Sequence, residues 1–224
     1  MELYGDKIWN ELFSSREWGK YPSEEAVRFF MRSKKILAKD IPEVLDLGCG
    51  SGAVSWFMAK EGGKVTAMDG APSGLNGVNG LAKRMGVDSE IKTILGDITK
   101  PERFTNCPFD IIIDHYSLCH NSREKIVNAV SNIFKLLNPG GFFLSCCFGE
   151  KTTGFGRGDR LSEKTYNNVK EGNLENRGII TFFSMEEREK MFSDSGFKLE
   201  YFERIIQERQ NGVDEKLINC LRKA

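Results

Sequence analysis

Val44-Leu45-Asp46-Leu47-Gly48-Cys49-Gly50-Ser51-Gly52 decides how the rest of the chain is read. A short apolar run ends in three glycines at alternate positions. Such glycines let a strand turn tightly into a helix and let a ligand approach a backbone that carries no Cβ. Outward from this segment, the pattern alternates between strand and helix. The strand candidates are EVLDLG (43–48), KVTAMDG (64–70), EIKTILGD (90–97), FDIIID (109–114) and GGFFLSCCF (140–148). Helical stretches fall near 52–61, 73–85 and 122–137. The last has Asn121-Ser122 as its cap and Ile126, Val130, Ile133, Phe134 and Leu137 at helical spacing. Apolar strands alternating with helices predict an α/β fold with a parallel sheet covered on both faces. The right-handed crossover rule then makes it doubly wound.

The flanks complete the plan. Residues 1–42 read as helical: MELYGDKIWNELF is amphipathic, and Ser23 with Glu24 and Glu25 opens a helix that Ile41-Pro42 should end. Residues 149–183 are glycine-rich and polar, and are expected to form a long functional or mobile loop. Within 184–224, SMEEREKMFSDSG is a capped helix, and two strand-like runs flank Arg209-Gln210-Asn211-Gly212, a hairpin signal. The expectation is a single domain with a mostly parallel seven-stranded sheet that closes in a C-terminal antiparallel hairpin.

Composition narrows the function. The 224 residues hold 32 basic and 32 acidic side chains, with no surplus of cations for phosphates, so a nucleic-acid partner is not expected. Of the six cysteines, Cys49, Cys107, Cys119, Cys146, Cys147 and Cys220, none forms a C-x-x-C pair or a zinc spacing, and no metal is expected. Cys146 and Cys147 sit in an apolar run as small buried hydrophobes. No secretory pattern opens the sequence, and no stretch reaches the ~20 apolar residues that span a bilayer. The expected protein is soluble, reduced and cytoplasmic, a monomer or homodimer, with no membrane partner.

With Ala53, the glycine loop also satisfies G-x-G-x-x-A, so an NAD(P)-dependent oxidoreductase is a live alternative. Electrostatics disfavours it: Asp46 would set a carboxylate beside the pyrophosphate that such a loop holds. An amino-acid ammonium would be welcome there. VLDLGCGSG in fact resembles the cofactor loop of the class I (Rossmann-like) S-adenosylmethionine-dependent methyltransferases, small-molecule type. The resemblance covers 43–148 closely and 184–222 by pattern. It implies S-adenosylmethionine as cofactor, held by Asp46, Gly48, Cys49, Gly50 and Gly52 of the loop. It also implies Asp69 with Gly70 at the ribose hydroxyls, where one carboxylate can take both protons, and Asp97 with Ile98 at the adenine. FDIIIDHYSLCH matches the strand and loop at the transfer site, and LLNPGGFFL the turn into the fifth strand. Residues 1–42 resemble a helical lid, with Tyr21 and Trp18 as candidates to cover the methionine end. A non-catalytic cofactor-binding protein remains a further alternative.

Ligands of parallel sheets lie outside the carboxyl ends of the strands, where Asp114, His115, Tyr116, Ser117 and His120 emerge. Both histidines of the chain are here, and histidine suits proton removal near neutral pH. His115 and His120 are therefore candidate bases for a hydroxyl acceptor, with Asp114 as an alternative base, an orienting partner or a cofactor contact. The 149–183 segment offers Phe155, Arg157, Arg160, Tyr166 and Arg177 to an anionic or sugar-like acceptor. The expected reaction is methyl transfer to a small molecule, at oxygen of a metabolite or sugar-type substrate.

Overall fold

The computed structural model describes residues 4–103 and 108–224; Cys107 and the first three residues lie outside them. The chain begins with helices α1 (Tyr4–Ser15) and α2 (Glu24–Leu37). Strand and helix then alternate: β1 (Glu43–Leu47), α3 (Ala53–Lys60), β2 (Lys64–Asp69), α4 (Pro72–Met85), β3 (Ile91–Leu95), β4 (Phe109–His115), α5 (Arg123–Leu136) and β5 (Leu137–Phe148). Short strands β6 (Asp159–Ser162), β7 (Thr165–Asn167) and β8 (Ile180–Thr181) follow. The chain ends with α6 (Met185–Asp194), β9 (Phe197–Arg209) and β10 (Gly212–Lys223).

The main sheet has seven strands in the order β3-β2-β1-β4-β5-β10-β9. The first five are mutually parallel, and β10 runs antiparallel to both β5 and β9. The expected fold class is therefore the observed one. Its two-faced burial follows from strand geometry, since neighbouring side chains point to opposite faces. Val44, Ile111, Ile113, Phe142 and Leu144 pack under α2 and α3 with Phe29, Phe30 and Met58. Leu45, Leu47, Ile112 and Phe143 pack on the other face with Ile126 and Ile133 of α5 and Phe192 of α6. Each such side chain contributes about 1.5–3 kcal/mol by leaving water.

Local signals explain most element ends. Ser23 caps α2 by accepting from the Ala26 N–H, and Ser184 with Glu187 forms a complete capping box on α6. The stop of α2 differs from expectation. The helix ends at Leu37 rather than at Ile41-Pro42, because Ala38 turns left-handed (φ 50°) and returns its N–H to the Lys35 carbonyl.

Residues 149–183 correct the expectation of a loop. They carry a three-stranded antiparallel sheet, β6-β7-β8, over a core of Val169, Leu174, Ile180 and Phe182 backed by Phe155 and Tyr166. Glu215 of the hairpin stitches this insertion down, accepting from the Lys151 N–H at 2.6 Å. Thr152 and Thr153 add hydrogen bonds to the β10 backbone. The five described cysteines are free and buried, and no helix among the described residues is long and apolar enough to cross a membrane.

Candidate active site

A cavity of about 810 Å³ opens at the carboxyl edge of the parallel strands, within the roughly 300–1,000 Å³ usual for small-molecule sites. Its first half is built by the glycine loop and the ends of β2 and β3. Asp46, Gly48, Cys49, Gly50, Asp69, Gly70, Asp97 and Ile98 all line it. Gly48 adopts φ +74°, and a Cβ there would collide with the Ser117 side chain, so only glycine fits. Gly52 stands just behind, as the left-handed N-cap of α3.

The three carboxylates are held differently. Asp46 is buried and accepts from Ser55 Oγ at 2.5 Å; burial lifts its carboxyl to about 6 against the pull of that bond. Asp69 accepts the Gly50 and Ala71 N–H groups, each at 2.8 Å, one per oxygen. Burial raises it too, opposed by those backbone donors. The Gly50 contact ties the glycine loop to the end of β2. Asp97 accepts from the Thr99 N–H and hydroxyl through one oxygen, and its other oxygen has no hydrogen-bond partner among the described residues.

His115 and His120 both line the cavity. Nε2 of His115 lies 2.8 Å from Ser23 Oγ and 3.4 Å from Glu25 Oε1. Burial alone would raise the Glu25 carboxyl, but the hydrogen bond with His115 and a backbone donor hold it down at about 2. Of the two oxygens around Nε2, the Glu25 carboxylate can only accept, which favours the tautomer with its proton on Nε2, while the Ser23 hydroxyl suits either tautomer. His120 stacks edge-on against Trp9 at 4.6 Å. Burial, then repulsion from Arg177, pushes it down to about 3. Its Nδ1 is buried with no hydrogen-bond partner among the described residues.

Two expected site residues are elsewhere. Asp114 is absent from the cavity wall: its Oδ1 accepts from Ser117 N and Oγ and from Leu118 N, and its Oδ2 from Ser145 Oγ. It shapes the turn after β4 and is saturated by that task. Tyr21 is 68% exposed and packs on Trp56 outside the cavity. The cover comes instead from α1, where Trp9 and Phe13 join Trp18 over the loop. Asn10 pins α1 to the start of α4 through Ser73, at 2.9 and 2.7 Å.

The second half of the cavity is lined by Tyr116, Phe148, Asn173, Leu174, Arg177, Ile179, Arg209, Asp214 and Lys216. Of the insertion residues expected to meet an acceptor, only Arg177 lines it. Phe155 and Tyr166 fill the insertion's own core, and Arg157 and Arg160 face solvent. Tyr116 was placed at this edge by the sequence but given no role, and it lines the cavity. It sits at φ +60°, a strained conformation for a bulky residue, directly after β4. Its only sequence cue was its place after the strand.

Residues 44–141 match the family model described as a methyltransferase domain. A demethylmenaquinone methyltransferase of Leptospira interrogans is 27% identical over 144 residues, covering 63% of this chain and 54% of the relative. The chain thus spans about half the length of that relative. A SAM-dependent methyltransferase from Methanosarcina mazei superimposes with a TM-score of 0.69 at 18% identity, covering 83% of this chain and 93% of the other. Burkholderia thailandensis 1,6-didemethyltoxoflavin-N1-methyltransferase, solved with 1,6-didemethyltoxoflavin and S-adenosylhomocysteine bound, superimposes at 0.67 with 20% identity, covering 97% and 88%. The fold is that of the class I methyltransferases.

Proposed function

We propose that this chain, built around a methyltransferase domain at residues 44–141, transfers a methyl group from S-adenosylmethionine to a small acceptor. The acceptor atom is an oxygen of a metabolite, sugar-type compounds included. The protein works in the cytoplasm as a single domain, monomeric or homodimeric, with no nucleic acid or membrane as partner.

One observation carries this reading: Asp46, Asp69 and Asp97 stand together around the glycine loop, while the basic side chains of the cavity come from α5, the insertion and the hairpin. Three carboxylates suit a ligand with an ammonium, a sulfonium and a diol, and would repel a pyrophosphate. The free lone pairs of Asp69 take the ribose hydroxyls, Asp97 and Ile98 the adenine, and Asp46 the ammonium. Gly48, Cys49, Gly50, Gly52 and Gly70 supply close backbone, under Trp9, Phe13 and Trp18.

S-adenosylmethionine brings an electrophilic methyl on a sulfonium, so the protein's part is to position the acceptor and take up its proton. His115 is the better base: it lines the cavity, and Glu25, 3.4 Å from its Nε2, stabilises the cation formed on proton uptake. His120, at about 3, is a weak base and serves as a neutral hydrogen-bonding wall. Calorimetry with S-adenosylhomocysteine and NADH, followed by labelled methyl transfer to a metabolite panel, tests this. Micromolar NADH binding with no S-adenosylhomocysteine binding refutes the proposal.

A further inference from the structure

The cavity is also lined by Arg177 and Lys216, two cations that make no close ion pair among the described residues. Lys125 of α5 lines the cavity as well, and the other basic side chains nearby are engaged. Arg209 pairs with Asp214 at 2.8 Å, Arg204 with Glu215 at 2.5 Å, and Lys164 with Glu150 and Glu187. Arg188 donates to Asn219 and the Ser145 carbonyl. Among the described residues Arg177 and Lys216 make no close ion pair: Arg177 lies over Trp18 at 5.8 Å, and Lys216 lies over Tyr116 at 5.9 Å with the Glu25 carboxylate acting on it only at longer range. Asp214, the acid that acts on Arg177, already accepts from Arg209 and Asn173. A half-buried guanidinium short of a counter-ion is costly, and an anion from solution removes that cost.

Position adds to charge. Arg177 comes from the insertion and Lys216 from β10, yet both face one cavity, whose other half carries Asp46, Asp69 and Asp97. The cavity therefore carries both the acids that suit a cationic cofactor and cations that suit an anionic acceptor. Tyr116, Phe148, Leu174 and Ile179 supply apolar walls there for a ring.

We propose that the acceptor is a small ring compound bearing a carboxylate or phosphate, which Arg177 and Lys216 hold while its nucleophilic atom faces the cofactor half. This rests on the methyl-transfer reading of the same cavity. The test is calorimetric titration of wild-type protein, with and without S-adenosylhomocysteine, using benzoate, phenyl phosphate and neutral benzamide. At least one anion binds, and benzamide binds at least tenfold more weakly. Arg177→Gln and Lys216→Gln each weaken that anion at least tenfold and keep S-adenosylhomocysteine affinity within twofold. Which anion binds tells carboxylate from phosphate. Benzamide matching the anions, none of the three binding, or unchanged anion affinity in both variants overturns the proposal. Because the anion comparison is also made on ligand-free protein, failure of S-adenosylhomocysteine to bind counts against the cofactor reading alone.

Discussion

His120 makes the fold acid-sensitive in a way that one substitution can isolate. Its ring is pushed from 6.5 down to about 3 by burial and by Arg177. Between those values the folded state binds fewer protons than the unfolded state, so stability falls as pH falls through the window. From pH 7 to pH 5 the loss attributable to His120 is about 2 kcal/mol. Asp46 acts oppositely: its carboxyl is raised from 3.8 to about 6, so the folded state binds extra protons over the same interval. That offsets roughly 1 kcal/mol, leaving a small net change in the wild type. His120→Gln removes the first effect and keeps the second. Relative to wild type, its melting temperature should therefore rise between pH 7 and pH 5 by about 4–8 °C, at about 2–4 °C per kcal/mol for a chain this long. Thermal melts followed by circular dichroism at the two pH values give this double difference directly. A double difference under about 1 °C refutes the claim that His120 is held neutral by burial.

Other perturbations test the site. Asp69→Ala should weaken S-adenosylhomocysteine by roughly 1.5–3 kcal/mol in calorimetry, since it removes the diol's acceptor and frees the Gly50 N–H that anchors the loop; unchanged affinity in a folded variant removes Asp69 from the site. Gly48→Ala should cost about 2 kcal/mol or more in urea denaturation, because a left-handed backbone and the Ser117 side chain both oppose a Cβ. His115→Gln should lower kcat about 100-fold with cofactor affinity unchanged, and a full-rate variant ends its role as base.

How much was legible in the sequence varies residue by residue. The glycine loop and the strand pattern could be read because each depends on local backbone, a turn needing positive φ and an alternating run, whereas Asp69 and Asp97 were reached through the family resemblance; both line the cavity. Tyr21 misled because an aromatic next to Pro22 carries no record of which side of α3 it will pack against; in the fold it meets Trp56. Asp114 misled for a related reason. A strand-end carboxylate can face a ligand or accept from its own turn, and four donors from Ser117, Leu118 and Ser145 fill it here. The insertion looked like a loop because its strands are only two to four residues long and need the Phe182 core to form.

By itself, then, the chain's order of residues determined a doubly wound sheet, a reversed final hairpin and an acidic glycine-loop pocket, since these follow from near-neighbour geometry and hydrophobic period. Tertiary structure alone decided what faces that pocket from afar. Ser23 and Glu25 meet His115 across some ninety positions, Trp9 covers His120, and Arg177 and Lys216 line one cavity. The physical reason is that such contacts depend on how separately stable elements dock, and docking is set by the packing of the whole core rather than by any local stretch of chain.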